Sequence, residues 1–306
     1  MRRRRLLAGL ALAGLCAALS AALSGCAATT GPGGRAGASA TPTATPSPSP
    51  HSGPYGFVLV GDFGTRDASE RAVAREAKRW TAGRPLDVVV TLGDNVYDSG
   101  APADIAPSWK PYGWVNRRAV PVLAALGNHD VETGDGHPEV KFFDMPGHWY
   151  VREVGPVEVV VLDANQPTNP KQRKWLHITL AQATARWTMV VFHQPAYSCG
   201  LHGSTPDVQD RWVPLFRRYH VDLVVNGHDH DYQRFAPIKG VTYVVDGGGG
   251  GPLYDVGACP GGTPTPVVPN DTDHGFLYLT ATTSRLTGKA IASDGTVLDT
   301  FVLRNR

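Results

Sequence analysis

An α/β fold of two packed sheets with helices outside is predicted by three features of this 306-residue chain. Short apolar runs at 57–60, 86–91, 120–126, 189–192 and 223–225 each end in a polar motif carrying Gly, Asp or His. That is the pattern of buried strands delivering polar groups just past their C-terminal ends, where ligand sites gather in α/β sheets. Stretches at 68–82, 171–183 and 208–219 read as helices and separate some of these strands. Further strands at 150–154, 157–163 and 241–245, with three segments after Phe276, interrupt strict alternation. The strands around Val157 and after Phe276 are expected to make the second sheet, and the two sheets pack as the inner layers of a four-layer α-β-β-α sandwich.

The N-terminal segment has a different composition. Four arginines at 2–5 precede an Ala- and Leu-rich run over 6–23, the form of a secretory signal peptide. The run ends in Leu23-Ser24-Gly25-Cys26, which resembles a bacterial lipobox and predicts acylation of Cys26. Cys16 follows Leu15 rather than a small residue and is set aside. Arg3-Arg4 followed by Leu6-Leu7 also fits twin-arginine export, on a weaker signal. Residues 26–54 are almost wholly Ala, Thr, Ser, Pro and Gly, too poor in large apolar groups to offset chain entropy, and are expected to be a flexible tether. The expected organisation is therefore a lipoprotein signal over 1–25, a linker over 26–54 and one monomeric domain over 55–306.

The chain has 29 Lys plus Arg against 27 Asp plus Glu, and removal of 1–25 takes four arginines and no acid, leaving 25 against 27. A net of −2 argues against nucleic acid as partner. Cys199 and Cys259 are then the remaining cysteines, and in an oxidising compartment an isolated pair is expected to form a disulfide.

Five motifs carry the chemistry: Gly61-Asp62-Phe63-Gly64, Gly93-Asp94-Asn95-Val96-Tyr97, Gly127-Asn128-His129-Asp130, Val190 to His193, and Gly227-His228-Asp229-His230. Asp62, Asp94 and Tyr97 are hard oxygen donors, Asn128 offers an amide oxygen, and His193, His228 and His230 offer imidazole nitrogen. A shared carboxylate, expected at Asp94, would bridge two ions about 3.5 to 4 Å apart, the spacing of two-metal phosphatases. Tyr97 discriminates among metals. A phenol with a pKa of about 10 is a poor ligand for a divalent ion, whereas Fe3+ displaces its proton. Two carboxylates, a phenolate and a bridging hydroxide against a trivalent and a divalent ion leave about +1, which suits an anionic phosphate.

In this order and form the motifs resemble those of the purple acid phosphatases, within the metallophosphoesterase superfamily, and the similarity runs from Tyr55 to about Arg304. Other branches carry Asp-x-His in the first motif; Asp62-Phe63-Gly64 lacks that His and Tyr97 is present, which selects the purple branch. Without an extra N-terminal domain the chain looks like the small, tartrate-resistant type, and Tyr232-Gln233 after the fifth motif adds to the likeness. The resemblance implies the calcineurin-like fold and an acid phosphatase that hydrolyses phosphate monoesters by attack of a metal-bound hydroxide. It implies Fe3+ held by Asp62, Asp94, Tyr97 and His230, with Asp94 bridging to a second ion, Fe2+, Zn2+ or Mn2+, on Asn128, His193 and His228. His202, nine residues after His193, matches a substrate-facing His and is assigned as general acid, with His129 as a phosphate-binding group.

Several features receive no catalytic role. Gly134-Asp135 is read as a common turn pair, Asp163 as structural, and His51, His137, His148, His177, His220 and His274 as ordinary surface or core histidines. The run 247–251 is not followed by Lys-Ser or Lys-Thr, so it is no Walker loop and is expected to pack beside the metals. Trp109, Tyr112, Trp114 and Trp149 would wall a cleft or fill the core. Activity on phosphodiesters or pyrophosphate, and a non-catalytic phosphate-binding lipoprotein, are the alternative functions.

Overall fold

The computed structural model describes residues 51–304, so the expected signal peptide, Cys26 and nearly all of the tether lie outside the described residues. Thirteen strands are present among the described residues: β1 (Tyr55–Val60), β2 (Val88–Leu92), β3 (Val122–Ala125), β4 (Tyr150–Val154), β5 (Val157–Val161), β6 (Trp187–Val191), β7 (Leu223–Asn226), β8 (Tyr232–Arg234), β9 (Thr242–Asp246), β10 (Val268–Asn270), β11 (Gly275–Ala281), β12 (Arg285–Ala292) and β13 (Val297–Arg304). They form a six-stranded sheet ordered β13-β12-β11-β1-β2-β3 and a seven-stranded sheet ordered β10-β8-β9-β7-β6-β5-β4.

In the first sheet β1, β2 and β3 are parallel and β11 joins β1 antiparallel. In the second, β5, β6, β7 and β9 are parallel, flanked by antiparallel β4 and β8. The strands after Phe276 thus extend the first sheet rather than building the second. Around Val157, β5 pairs antiparallel with β4 in the second sheet, as expected, and parallel with β6 on its other side. The correction concerns pairing partners, which a local pattern does not encode.

Alternation along β6 explains the layering. Trp187, Met189 and Val191 face the core between the sheets, where they meet Leu59, Val90 and Leu277. Val190 faces the other way, into a second core with Phe192 just past the strand, Leu176, Trp212 and Phe216 under the outer helices. On the far side, helix Ala68–Trp80 is capped by Asp67, whose side chain accepts the Glu70 N–H, and buries Val73, Ala74 and Ala77. Helix Pro170–Gln182 matches expectation within a residue at each end. The single helix expected over 208–219 is instead two, Pro206–Arg211 and Val213–Arg218. Pro214 has no N–H to continue the ladder and its ring clashes with the preceding turn. Trp109, Tyr112 and Trp114 are buried core rather than a cleft wall. Among the described residues no helix is long and apolar enough to cross a membrane.

Candidate metal centre

Each donor stands two to five residues beyond a parallel strand. β1 delivers Asp62, β2 delivers Asp94 and Tyr97, and β3 delivers Asn128; β6 delivers His193, and β7 delivers His228 and His230. Asp62 (φ 58°), Asp94 (φ 48°) and His228 (φ 75°) occupy the left-handed region. For side chains other than Gly this costs of order 1–3 kcal/mol each, strain that gathers at functional sites.

The donors converge in two overlapping groups. Tyr97 Oη lies 3.1 Å from Asp94 Oδ2, 3.4 Å from Asp62 Oδ1 and 3.0 Å from His230 Nε2. His193 Nε2 lies 3.2 Å from the same Asp94 Oδ2, 3.1 Å from Asn128 Oδ1 and 3.2 Å from His228 Nδ1. All seven expected donors are therefore brought together, and Asp94 Oδ2 is common to both groups. Asp62, Asp94 and His193 are fully or almost fully buried.

Glycines permit this closeness. A Cβ on Gly127 would lie 2.1 Å from Asp94 Oδ1, one on Gly227 2.3 Å from Asp62 Oδ2, and one on Gly93 2.6 Å from His193 Nδ1. The glycine run 247–251 packs against the first motif, with the Gly249 and Gly251 N–H groups donating to the Gly61 and Asp62 carbonyls at 3.0 and 2.8 Å.

The surroundings orient the donors for a cation. His193 Nδ1 meets the Leu92 carbonyl at 3.0 Å and His230 Nδ1 meets the Pro252 carbonyl at 2.8 Å. A carbonyl only accepts, so each Nδ1 carries a proton and each Nε2 faces the centre, where a metal ion would take the place of any proton on it, the arrangement that backs metal-ligating imidazoles. Asp62 takes the His228 N–H on both oxygens at 3.1 and 3.0 Å, and Asp94 Oδ1 takes the His129 N–H at 3.0 Å. Among the described residues neither aspartate pairs with a lysine or arginine; their ionic neighbours are histidines. Two buried carboxylates with a phenol, an amide oxygen and three imidazoles fit a pair of metal ions well.

Ionisation follows the same logic. Burial raises Asp62, outweighing His193 and His230. Burial also works against ionising Asp94, yet the charge and hydrogen bond of His193, helped by His129, hold its carboxyl below the usual range. Burial alone would lower His193, but Asp94 and Asp62 lift it to about 10. Burial and the charges of Asp62 and Asp94 push the Tyr97 phenol far above its ordinary value, so a strongly charged cation is needed to ionise it. His228 is pushed down to about 2 by burial and by His193 and His202, which keeps it a neutral donor.

The two expected reaction groups flank the centre. His202 is exposed, its ring stacked on His228 with centroids 4.3 Å apart, and its N–H donates to Asp229 Oδ1 at 2.7 Å. His129 is half-buried, with Nδ1 2.5 Å from the Asp98 carbonyl and its ring 4.7 Å from that of Tyr97. The Cys199–Cys259 disulfide is formed and ties the loop of His202 to the segment after the glycine run.

Sequence reasoning missed three supports. Tyr254 stacks on His230 at 4.2 Å and meets His202 edge-on at 5.4 Å. Asp229 anchors both the His202 backbone and the Ser198 hydroxyl. Asn95 Nδ2 donates to Asp130, Glu139 and the Ala125 carbonyl, while Asp130 accepts the Asn95, Val96 and Gly127 N–H groups, which fixes the second motif against the third. Asn95, Asp130 and Asp229 lie inside motifs already singled out; Tyr254 has no local signal.

A sequence profile described as calcineurin-like phosphoesterase matches residues 46–232. Purple acid phosphatase 17 of Arabidopsis thaliana is 26% identical over 230 residues, which span 62% of this chain and 68% of that protein. Human tartrate-resistant acid phosphatase type 5 is 26% identical over 235 residues, 63% of this chain and 72% of that one. A solved purple acid phosphatase from yellow lupin seeds shares the fold at a TM-score of 0.71 and 23% identity, covering 84% of this chain and 55% of the lupin chain.

Proposed function

This chain belongs to the calcineurin-like phosphoesterase family, with purple acid phosphatases among its homologues, and on that premise we propose that it is a dinuclear acid phosphatase acting on phosphate monoesters. The observation that supports this reading best is the pair of donor groups sharing Asp94 Oδ2, one of them containing Tyr97. Asp62, Asp94, Tyr97 and His230 would hold Fe3+, and Asn128, His193, His228 and Asp94 a divalent Fe, Zn or Mn. Bound there, the ions would activate water and neutralise charge on the phosphoryl oxygens. His129, at the rim beside Tyr97, offers a hydrogen bond to phosphate. His202, exposed and held through its backbone by Asp229, donates a proton to the leaving oxygen.

The test is the visible spectrum of the purified protein, recorded alongside turnover of monoester, diester and pyrophosphate substrates. A phenolate-to-iron band is expected, lost in Tyr97→Phe. An active, iron-free and colourless protein would remove the ferric assignment, and preference for diesters or pyrophosphate would remove the monoesterase reading.

The same proposal places the domain outside the cytoplasmic membrane of a bacterium, exported by the signal over 1–25 and anchored through acylated Cys26, with 26–54 as tether and 55–306 as catalytic domain. Leu23-Ser24-Gly25-Cys26 is the supporting feature. Cells fed labelled fatty acid should label the wild-type chain and not Cys26→Ser; equal labelling would reject the anchor.

A further inference from the structure

A second cluster of metal-ligating side chains lies outside the centre described above. Asp135, His137 and His148 each bring one ligand atom within 4.8 Å of the others. Asp135 sits at φ 56° in the tight turn Gly134–Gly136, His137 opens helix His137–Phe142, and His148 precedes β4. Asp135 and His137 are exposed and His148 is half-buried. The chain thus returns to the same point of the surface after eleven residues.

The hydrogen bonds behind the histidines show which nitrogens are presented. His148 Nδ1 meets Asp163 Oδ2 at 3.2 Å, and Asp163 is completely buried. His137 Nδ1 meets the Gly134 carbonyl at 2.9 Å. Both Nδ1 atoms are engaged by acceptors, so the Nε2 lone pairs remain for an ion. A buried carboxylate behind an imidazole is the second layer that fixes tautomer and raises ligand basicity in metal sites. It is the same device that the centre uses at His193 and His230, there with backbone carbonyls.

Asp163 is itself held. Asn165 donates its backbone N–H and its side-chain amide to Asp163 Oδ1, each at 3.0 Å. The same Asn165 amide reaches the Gly127 carbonyl at 3.2 Å, next to Asn128. His148 is therefore backed by a hydrogen-bonded network rather than by solvent, while the side chains of its two partners are exposed.

We propose that Asp135, His137 and His148 form a third metal site, separate from the dinuclear centre, that takes a divalent ion of the zinc class and clips the Gly134–Gly136 turn to His148. Two imidazoles and one carboxylate select zinc-like ions over Mg2+ or Ca2+, which want an all-oxygen shell. Ligand atoms around zinc stand about 3.3 Å apart, given bonds of about 2.0 to 2.1 Å, so the exposed Asp135 and His137 side chains close inward by at most about 1.5 Å on the fixed His148. Three protein ligands leave a fourth position for water.

The experiment is a zinc titration of the purified full-length protein, carrying whatever ions its buried centre retains after desalting, with Zn2+ alone as probe and bound zinc counted. Wild type should take up one equivalent more than Asp135→Ala and His137→Ala, or bind that equivalent at least tenfold more tightly. Both variants alter exposed side chains outside the catalytic machinery, so phosphoester turnover before zinc is added should match wild type. Equal zinc uptake by wild type and both variants would overturn the site, and an equal wild-type advantage with Mg2+ would overturn its zinc class. A failure of the dinuclear reading would change the total zinc bound and leave this difference untouched.

Discussion

The half of the centre that stands on the first sheet is made of oxygen, and the half on the second sheet is made of nitrogen. β1, β2 and β3 end in Asp62, Asp94, Tyr97 and Asn128; β6 and β7 end in His193, His228 and His230. The oxygen half carries the charge and strained backbone at Asp62 and Asp94. The nitrogen half carries the imidazoles, with His202 stacked on His228. The seven donors converge because the two sheets present their parallel strand ends at one edge.

The strongest way to break this division is at Asp94, the one donor common to both groups. Loss of an outer support of a metal site already costs about 10- to 100-fold in activity or affinity. Asp94→Ala should therefore cost more than about 100-fold and strip both ions. Metal analysis of the purified variant checks it, and retention of a full pair would show that the halves do not share Asp94.

His202→Ala addresses the nitrogen half. Turnover of an alkyl phosphate, whose leaving oxygen needs a proton, should fall by about 100-fold or more. An aryl phosphate with an acidic phenol should be affected far less, and metal content should stay the same. Equal losses on the two substrates would take the proton-donor role from His202.

The smallest expected effect concerns the carboxyls that support the oxygen half. Burial pushes Glu70 up to about 8, and burial with the neighbouring Asp130 pushes Glu139 up to about 11. A raised acid holds its proton in the folded chain where the unfolded chain, with an ordinary Glu near 4.5, has released it. Folding then binds protons, and stability falls as pH rises. The fall begins near 4.5 and is complete for Glu70 above about 8 and for Glu139 above about 11. Thermal midpoints should decrease from pH 5 to 8, with a shallower slope in Glu139→Gln. A midpoint that climbs over that range would mean these carboxyls ionise freely in the fold.

The donors of both halves were equally legible in the sequence. Asp62, Asp94, Tyr97, Asn128, His193, His228 and His230 could be placed because each follows an apolar run within a few residues, a local signal. What failed was non-local. β11 pairs with β1 across most of the domain, β12 and β13 follow it in turn, and nothing in their own pattern says which sheet they join. The break at Trp212 was readable from Pro214, but the apolar spacing of 208–219 outweighed it. Tyr254 and the Asp135, His137 and His148 group were invisible for a related reason: their partners are brought together by turns and loops, which carry no period.

The disulfide between Cys199 and Cys259 closes a covalent ring around residues 200–258, which include His202, both fifth-motif histidines and Tyr254. Leu201, 68% exposed, is a point on that ring open to a protease. A single cut there would sever the chain beside His202, yet the two fragments would stay joined through sulfur. Such a molecule would keep its mass on a non-reducing gel and fall into two bands only after reduction, so a loss of turnover at constant apparent size is the signature of damage at this loop.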